Sequence, residues 1–224
     1  MMKRVFHILV AVIAVILLAA CATVPPRLYI DQEWNRMPAP TSVKVVFATP
    51  ADGSPILFKR NFPEYEDRFD EWFNQYAFSK LKETTKNRFK LKMLPVDDVE
   101  VTFETVKLGE NDFPAPKFEG IERDADVYLV INYIWFGLDP EHEAEKREKV
   151  DPNALNIFTP DELLEYRLIS HCRYAFYDTK SKKLLGYGSA NGFSSGKSID
   201  KENWIFILDK LMDDMLWSTP LYTP

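Results

Sequence analysis

The sequence contains few of the residues that cross-link small folds or coordinate metal ions. Only two cysteines, eight glycines and three histidines occur among its 224 residues. Two cysteines cannot supply a disulfide framework or a multi-cysteine zinc site, which excludes those folds. Basic residues are also in deficit, because 28 Lys and Arg side chains stand against 34 Asp and Glu side chains. The net charge of −6 argues against nucleic acid as a partner, since a phosphate backbone repels an acidic surface.

Apolar residues are abundant. Hydrophobic residues make up 46% of the chain and aromatic residues 14%. This composition supports a sizeable buried core and is unlike that of a disordered chain. The length fits one domain, or two at most.

The first twenty residues have the pattern of a signal peptide. Lys3 and Arg4 form a positive start, the run from Ile8 to Leu18 is uncharged, and small residues precede Cys21. As a helix, residues 8–20 would span only about 20 Å, which is shorter than the hydrocarbon core of a bilayer, about 30 Å. We therefore expect residues 1–20 to be a cleaved export signal rather than a lasting membrane span.

The end of this segment resembles the lipobox of bacterial lipoproteins, through Leu18, Ala19, Ala20 and Cys21. The resemblance implies cleavage before Cys21, diacylglycerol on its sulfur, and an acyl chain such as palmitate on its new amino group. Several acyl chains together give stable anchoring to a membrane. In that family an Asp after the cysteine retains the protein at the inner membrane, and Ala22 stands there instead. The implied location is the periplasmic face of the outer membrane.

The residues that follow predict a tether, residues 21–40. Four prolines lie between Ala22 and Pro40, with little hydrophobic periodicity. Nineteen extended residues reach about 65 Å at most, which keeps the domain close to its membrane. Because Cys172 is the only cysteine besides Cys21, we expect no internal disulfide.

Residues 41–218 carry the patterns of one α/β domain with a mixed sheet of about five strands and two main amphipathic helices. The strand from Val127 is apolar on both faces, which is typical of a strand covered on both sides. Residues 137–164 form a charged insertion in which Glu141–Lys149 predicts a helical turn, and residues 219–224 form a tail. The predicted strands are Val43–Ala48, Phe89–Leu94, Val127–Phe136, Arg167–Tyr177 and Leu184–Phe193, and the predicted helices lie within residues 63–88 and 199–217.

This order resembles a group of periplasmic lipoproteins. The segment Arg123–Asp126 precedes the buried strand. The hairpin segment Tyr177–Leu185 comes later, and an amphipathic helix ends the domain. Together they resemble lipoproteins with the fold of the TolB amino-terminal domain. That group includes the curli-secretion channel lipoprotein and the outer-membrane activators of cell-wall synthases. The resemblance covers about residues 41–218, and it implies scaffolding and partner binding in the envelope without catalysis.

No motif for catalysis is complete in this sequence. Gly192–Ser198 resembles a phosphate-binding loop but has three residues between its glycines where four are needed. We expect a flexible turn there, with Ser198 as a helix N-cap. His142 lacks the second histidine of a zinc-protease motif, His171 is expected on an exposed strand face, and Cys172 is expected to be a buried thiol. We therefore predict no cofactor, no metal site and no enzymatic activity.

The leading interpretation is an outer-membrane lipoprotein that binds envelope proteins or itself, and two alternatives stay open. Carboxylate pairs at Asp97-Asp98, Asp124/Asp126 and Asp213-Asp214 would suit a hydrolase if a cleft held two acids about 5–10 Å apart. Exposed aromatic residues would suit a module that binds cell-wall glycan or lipid, since aromatics are enriched at recognition surfaces. The candidates for a partner or ligand surface are Tyr29 and Trp34 in the tether, Tyr187 and Phe193 on the hairpin, and Trp217 with Tyr222 near the C-terminus.

Overall fold

The computed structural model describes residues 27–47, 52–53, 55–66, 68–94, 100–149 and 165–222. It confirms a mixed α/β domain, built on a seven-stranded sheet with helices on one face and a two-stranded hairpin on the other. The predicted signal peptide, Cys21 and the Asp97-Asp98 pair lie outside the described residues. No helix in the described ranges is long and apolar enough to cross a membrane.

Several strands that are neighbours in the large sheet are distant in sequence. In the large sheet the order is β1-β9-β8-β7-β2-β4, with β3 paired to β7, and β5 pairs with β6 in the hairpin. β2 is parallel to β4 and β7, whereas β7, β8, β9 and β1 pair antiparallel. The strands are β1 (Leu28–Ile30), β2 (Ser42–Phe47), β3 (Asp52–Gly53), β4 (Lys90–Met93), β5 (Val101–Leu108), β6 (Asn111–Phe118), β7 (Val127–Leu138), β8 (Tyr166–Asp178) and β9 (Leu184–Gly196), and the helices are α1 (Pro55–Asn61), α2 (Phe69–Thr84), α3 (Pro140–Lys149) and α4 (Lys201–Leu216), with a 3-10 helix at Trp34–Arg36.

Strand β7 is the middle of the sheet, as its two apolar faces predict. Every side chain from Val127 to Asn132 is buried. Leu129 and Ile131 belong to the larger core with α2 and α4, whereas Tyr128 and Val130 belong to a second core under the β5–β6 hairpin. A strand with two apolar faces needs cover on both sides, and the two cores provide it.

Helix α4 closes the larger core with seven buried side chains between Trp204 and Leu216. The prediction of Ser198 as its N-cap is wrong. Asp200 is the cap, because its carboxylate accepts the Asn203 N–H at 3.0 Å while Asn203 Oδ1 accepts the Asp200 N–H at 3.1 Å. The predicted flexible turn is wrong in part as well, since residues up to Gly196 continue β9.

The β5–β6 hairpin was not predicted from the sequence. β6 contains Pro114 and Pro116, and proline interrupts the usual strand signal because it cannot donate to a β-ladder. β6 tolerates both prolines because, among the described strands, it pairs with β5 alone. Phe113 and Ala115, which alternate with the prolines, are buried in the second core.

The described part of the predicted tether is packed onto the domain. Leu28–Ile30 form β1 and pair antiparallel with β9. Trp34 is buried, with its ring 4.9 Å from that of Phe176, so its prediction as an exposed aromatic is wrong. A strand of three residues is too short to leave a periodic signal in the sequence.

The charged insertion is described as far as residue 149. Residues 137–138 complete β7, and α3 covers the predicted helical turn. Residues 150–164 lie outside the described ranges. At the other end of the chain, Leu221 of the predicted tail is buried in the larger core.

Candidate functional site

The two histidines among the described residues have structural contacts. His142 is buried on α3, and its Nε2 lies 2.9 Å from the Glu165 carbonyl oxygen, which ties α3 to the start of β8. His171 lies on β8 with its Nδ1 2.8 Å from Oδ1 of Asn191 on β9. Within the described ranges no group of three His, Cys, Asp or Glu side chains is placed to hold a metal ion.

Cys172 is completely buried and unpaired, as the sequence predicts. Burial raises the pKa of its thiol far above the usual value, because the interior disfavours the thiolate. A thiol kept protonated in this way is a packing group rather than a nucleophile.

Asp124 and Asp126 fix the start of β2 beside the start of β7. Oδ2 of Asp126 accepts hydrogen bonds from the Thr41 N–H at 2.7 Å, the Thr41 hydroxyl at 2.8 Å and the Ser42 N–H at 3.1 Å. The Thr41 hydroxyl makes the largest contribution to lowering the pKa of Asp126. Asp124 lies 2.6 Å from Lys44 Nζ, and this hydrogen bond lowers the pKa of Asp124. These structural contacts give no support to a carboxylate-based hydrolase.

Tyr187 is buried, so the prediction that it is exposed is wrong. Its ring stacks between Tyr29, at a centroid distance of 4.9 Å, and Phe113, at 5.8 Å. Its hydroxyl donates a hydrogen bond to the Lys107 carbonyl of β5. The β5–β6 hairpin thus covers a residue that the alternation of β9 alone placed on an open surface.

Of the other predicted aromatics, Tyr29 is 44% exposed on β1, where it stacks on Tyr187, and the remaining three lie in two different places. Phe193 is 52% exposed on β9. Trp217 is 60% exposed just after α4, and its ring contacts that of the half-buried Tyr222 at a centroid distance of 5.2 Å. The structure therefore divides the predicted surface into two candidate sites.

The first site is the part of the sheet face that lies beyond the hairpin. Directly paired residues of antiparallel strands project on the same face. Trp135 of β7 pairs with His171 of β8, and Ile169 of β8 pairs with Phe193 of β9. The described residues leave this region partly open to solvent. We name it the open face and define it by Tyr133, Trp135, Ile169, His171, Arg173 and Phe193.

Tyr133 projects from the open face because β7 is irregular there. The register shifts between Asn132 and Trp135, and Tyr133 has a positive φ of 53°, which is uncommon for a residue with a side chain. The Arg173 guanidinium lies 4.5 Å from the centroid of the Tyr133 ring, and the His171 ring lies edge-on at 5.9 Å. Tyr133 is nevertheless 56% exposed.

Strict alternation could not place Tyr133 correctly. It puts Tyr133 and Trp135 on the same face as Ile131, whereas the structure places Ile131, Ile134 and Phe136 together in the larger core. The bulge therefore reverses the two faces of β7 after Asn132. Nothing in the residue types around position 133 marks a bulge.

The second site is a pocket of about 400 Å³ where the end of α4 meets β1 and β9. Arg27, Leu28 and Ile30 form one side of it, and Asp214 and Trp217 form the other. Tyr174 of β8 also lines it. We name this cavity the α4-end pocket.

No protein-family model matches the sequence, and no curated protein matches it. Among solved structures, the chain is similar to a PelC dodecamer from Paraburkholderia phytofirmans, with 10% identity, a TM-score of 0.39, and coverage of 88% of this chain and 96% of that chain. It is also similar to a single-substitution variant of the same PelC, with 10% identity, a TM-score of 0.36, and coverage of 84% and 92%. Likeness at this level assigns no function to the chain.

Proposed function

We propose that the protein is a non-catalytic outer-membrane lipoprotein whose domain binds an envelope protein or a second copy of itself. Acyl chains on Cys21 hold it on the periplasmic face in this proposal. The lipobox resemblance supports the anchor. The structural contacts of His142, His171, Asp124 and Asp126 favour binding over catalysis.

The anchor would hold the β1 end of the domain near the membrane. Only five residues separate Cys21 from Arg27, the first described residue, and six residue steps span about 20 Å at most. Since β1 is paired to β9, this short link ends on the sheet itself. A partner would therefore meet the domain close to the membrane surface.

The observation that carries the binding proposal is the composition of the open face. Tyr, Trp, Phe and Arg are the residue types enriched at the centres of protein interfaces. The open face presents all four types within three paired strands, and its two most exposed members are Tyr133 and Phe193. Aromatic rings are rigid and bury large areas at little entropic cost, so they make efficient anchors.

The positive φ at Tyr133 strengthens this interpretation. Backbone in this region costs about 1–3 kcal/mol, and such strain clusters where a side chain serves a function. The bulge presents Tyr133 at the surface, where its ring lies against Arg173. A ring held in this way is already positioned for a partner.

The test is native electrophoresis of membranes solubilised in mild detergent. The wild-type protein is expected to run as a complex larger than the monomer, and the double variant with Arg173→Ala and Phe193→Ala is expected to weaken it about tenfold or more. Phe103→Ala is the matched control, because Phe103 is 47% exposed but lies on the hairpin outside the open face. A wild-type monomer, or a complex equally weakened by Phe103→Ala, contradicts the proposal.

A further inference from the structure

The α4-end pocket has the volume of a small-ligand site and a closely packed wall on its sheet side. Its volume of about 400 Å³ falls within the range of small-ligand sites, roughly 300–1,000 Å³. Gly188 keeps the sheet side of the pocket tight, because a Cβ there would clash with the Arg27 carbonyl and would approach the Tyr174 hydroxyl to 3.0 Å. β1 therefore passes directly against β9 beside the pocket.

The opposite side is held by the segment after α4. The Trp217 N–H donates to the Asp213 carbonyl at 2.9 Å, and Ser218 then turns the chain with a positive φ of 67°. Arg88 donates to the Leu221 carbonyl at 3.3 Å and to the Tyr222 carbonyl at 3.2 Å. These contacts fix Trp217 in place although most of its ring faces solvent.

Two polar groups of the pocket have hydrogen-bonding capacity left over. The Tyr174 hydroxyl is buried and has no hydrogen-bond partner among the described residues. A buried hydroxyl without a partner is costly, so it calls for an explanation. Burial also raises the pKa of Tyr174 far above its usual value, which keeps the hydroxyl protonated and able to donate. Asp214 uses Oδ2 to accept the Asn191 N–H at 3.0 Å, and within the described ranges no hydrogen bond is made to its Oδ1.

The residues that line the pocket favour one chemical class of ligand. Arg27 and Asp214 place both signs of charge in one pocket, which disfavours a strongly anionic or strongly cationic ligand. A lipid chain would leave the polar groups of Tyr174 and Asp214 desolvated without partners. A sugar ring matches the lining, because its hydroxyls both donate and accept while its C–H face is apolar and packs on an aromatic ring such as Trp217.

We propose that the α4-end pocket binds one neutral sugar unit of a glycan, with the sugar ring stacked on Trp217 and its hydroxyls bonded to Tyr174 and Asp214. This inference goes beyond the proposed function and does not depend on the open face or on Cys21. A sugar-binding pocket near the β1 end would give the anchored domain a second, carbohydrate partner.

The test measures binding of defined trisaccharides to the full-length protein in mild detergent by saturation-transfer NMR. The neutral probes are the trimers of N-acetylglucosamine and of glucose, and the charged probes are the trimers of galacturonic acid and of glucosamine. At least one neutral trimer is expected to bind with a Kd of about 1 mM or tighter. Absence of binding by both neutral trimers, or tighter binding of a charged trimer, overturns the proposal.

Two variants separate the sugar site from a structural role. Trp217→Ala and Tyr174→Phe are each expected to weaken the neutral trimer about tenfold. Tyr174→Phe removes only the hydroxyl, which has no partner in the described structure, so the midpoint of thermal unfolding should not fall. Phe206→Ala is the control, since Phe206 is 46% exposed on α4 and does not line the pocket. Unchanged affinity in Trp217→Ala, or an equal loss in Phe206→Ala, overturns the proposal.

Discussion

At the scale of single residues, one glycine sets how closely α4 approaches the sheet. Gly192 of β9 lies against the backbone of Ile207, and a Cβ at position 192 would clash with the Ile207 carbonyl oxygen. The Ser170 hydroxyl donates to the same carbonyl at 3.2 Å. Helix and strand therefore meet through backbone atoms, which leaves no room for a side chain.

Gly192→Ala is expected to lower the free energy of unfolding by about 1–3 kcal/mol, because α4 must move away from β9. Urea unfolding measures the loss. Gly196→Ala is the control, since the nearest atom to its added Cβ would be 3.5 Å away, an ordinary contact. Equal stability of both variants would contradict the close approach of α4.

Asp126 makes the stability of the domain depend on pH in a defined direction. Its pKa is lowered in the folded state from a reference of 3.8. The stabilisation is therefore present above the unfolded-state pKa and is lost as the pH falls through the lower folded-state pKa. We expect Asp126→Ala to cost about 1–2 kcal/mol at neutral pH, because Thr41 and Ser42 lose a charged acceptor.

The measurement is urea unfolding of wild type and Asp126→Ala at about pH 7 and about pH 3. The difference between the two proteins should shrink at the lower pH. Glu110→Gln, at the exposed turn of the hairpin, serves as the control for loss of a carboxylate. A difference that grows as the pH falls would show that the sign is wrong.

At the scale of elements, periodicity predicts the parts of the fold that have long, regular patterns. The buried strand β7, the hairpin of β8 and β9, and the amphipathic helix α4 were all predicted close to their observed bounds. β1 was not predicted because three residues give no period, and β6 was not predicted because proline masks its alternation. β3 and β5 were not predicted either. β1 lines the α4-end pocket, and β6 covers Tyr187, which the sequence proposed for the partner surface.

Because β6 was not predicted, part of the candidate surface was also predicted wrongly. Without the hairpin, the alternation of β9 places Tyr187 and Phe193 on one exposed surface, although only Phe193 is accessible. The bulge at Tyr133 had a similar effect on β7, because a two-residue period cannot anticipate a register shift. The sequence could therefore predict the accessibility of Tyr29, Phe193 and Trp217, but not the residues that surround them.

The β5–β6 hairpin is expected to stabilise the sheet through its buried side. Phe113→Ala should cost about 2–4 kcal/mol, since the Phe113 ring packs on Tyr187 in the second core. Phe103→Ala on the same hairpin should change the free energy of unfolding by less than about 0.5 kcal/mol, because its side chain is exposed. Urea unfolding distinguishes them, and equal losses would show that the hairpin does not cover the sheet as described.

At the scale of the whole molecule, the proposed anchor lies beside one of the two candidate surfaces. The short link from Cys21 would end on β1, which borders the α4-end pocket. The open face lies on the opposite side of the sheet from α4, whereas the pocket lies at the end of α4. The domain would therefore be able to meet a glycan and a protein at the same time.

Measuring whether Cys21 is acylated tests the central claim most directly. Cells are labelled with a fatty-acid analogue, and the protein is followed through separation of the membranes. The wild type and Cys172→Ala are expected to take up the label and to sediment with the outer membrane, whereas Cys21→Ser should remain unlabelled and leave that fraction. A Cys21→Ser protein that is still labelled, or that stays in the outer membrane at unchanged size, would contradict the account of a membrane-held binding domain.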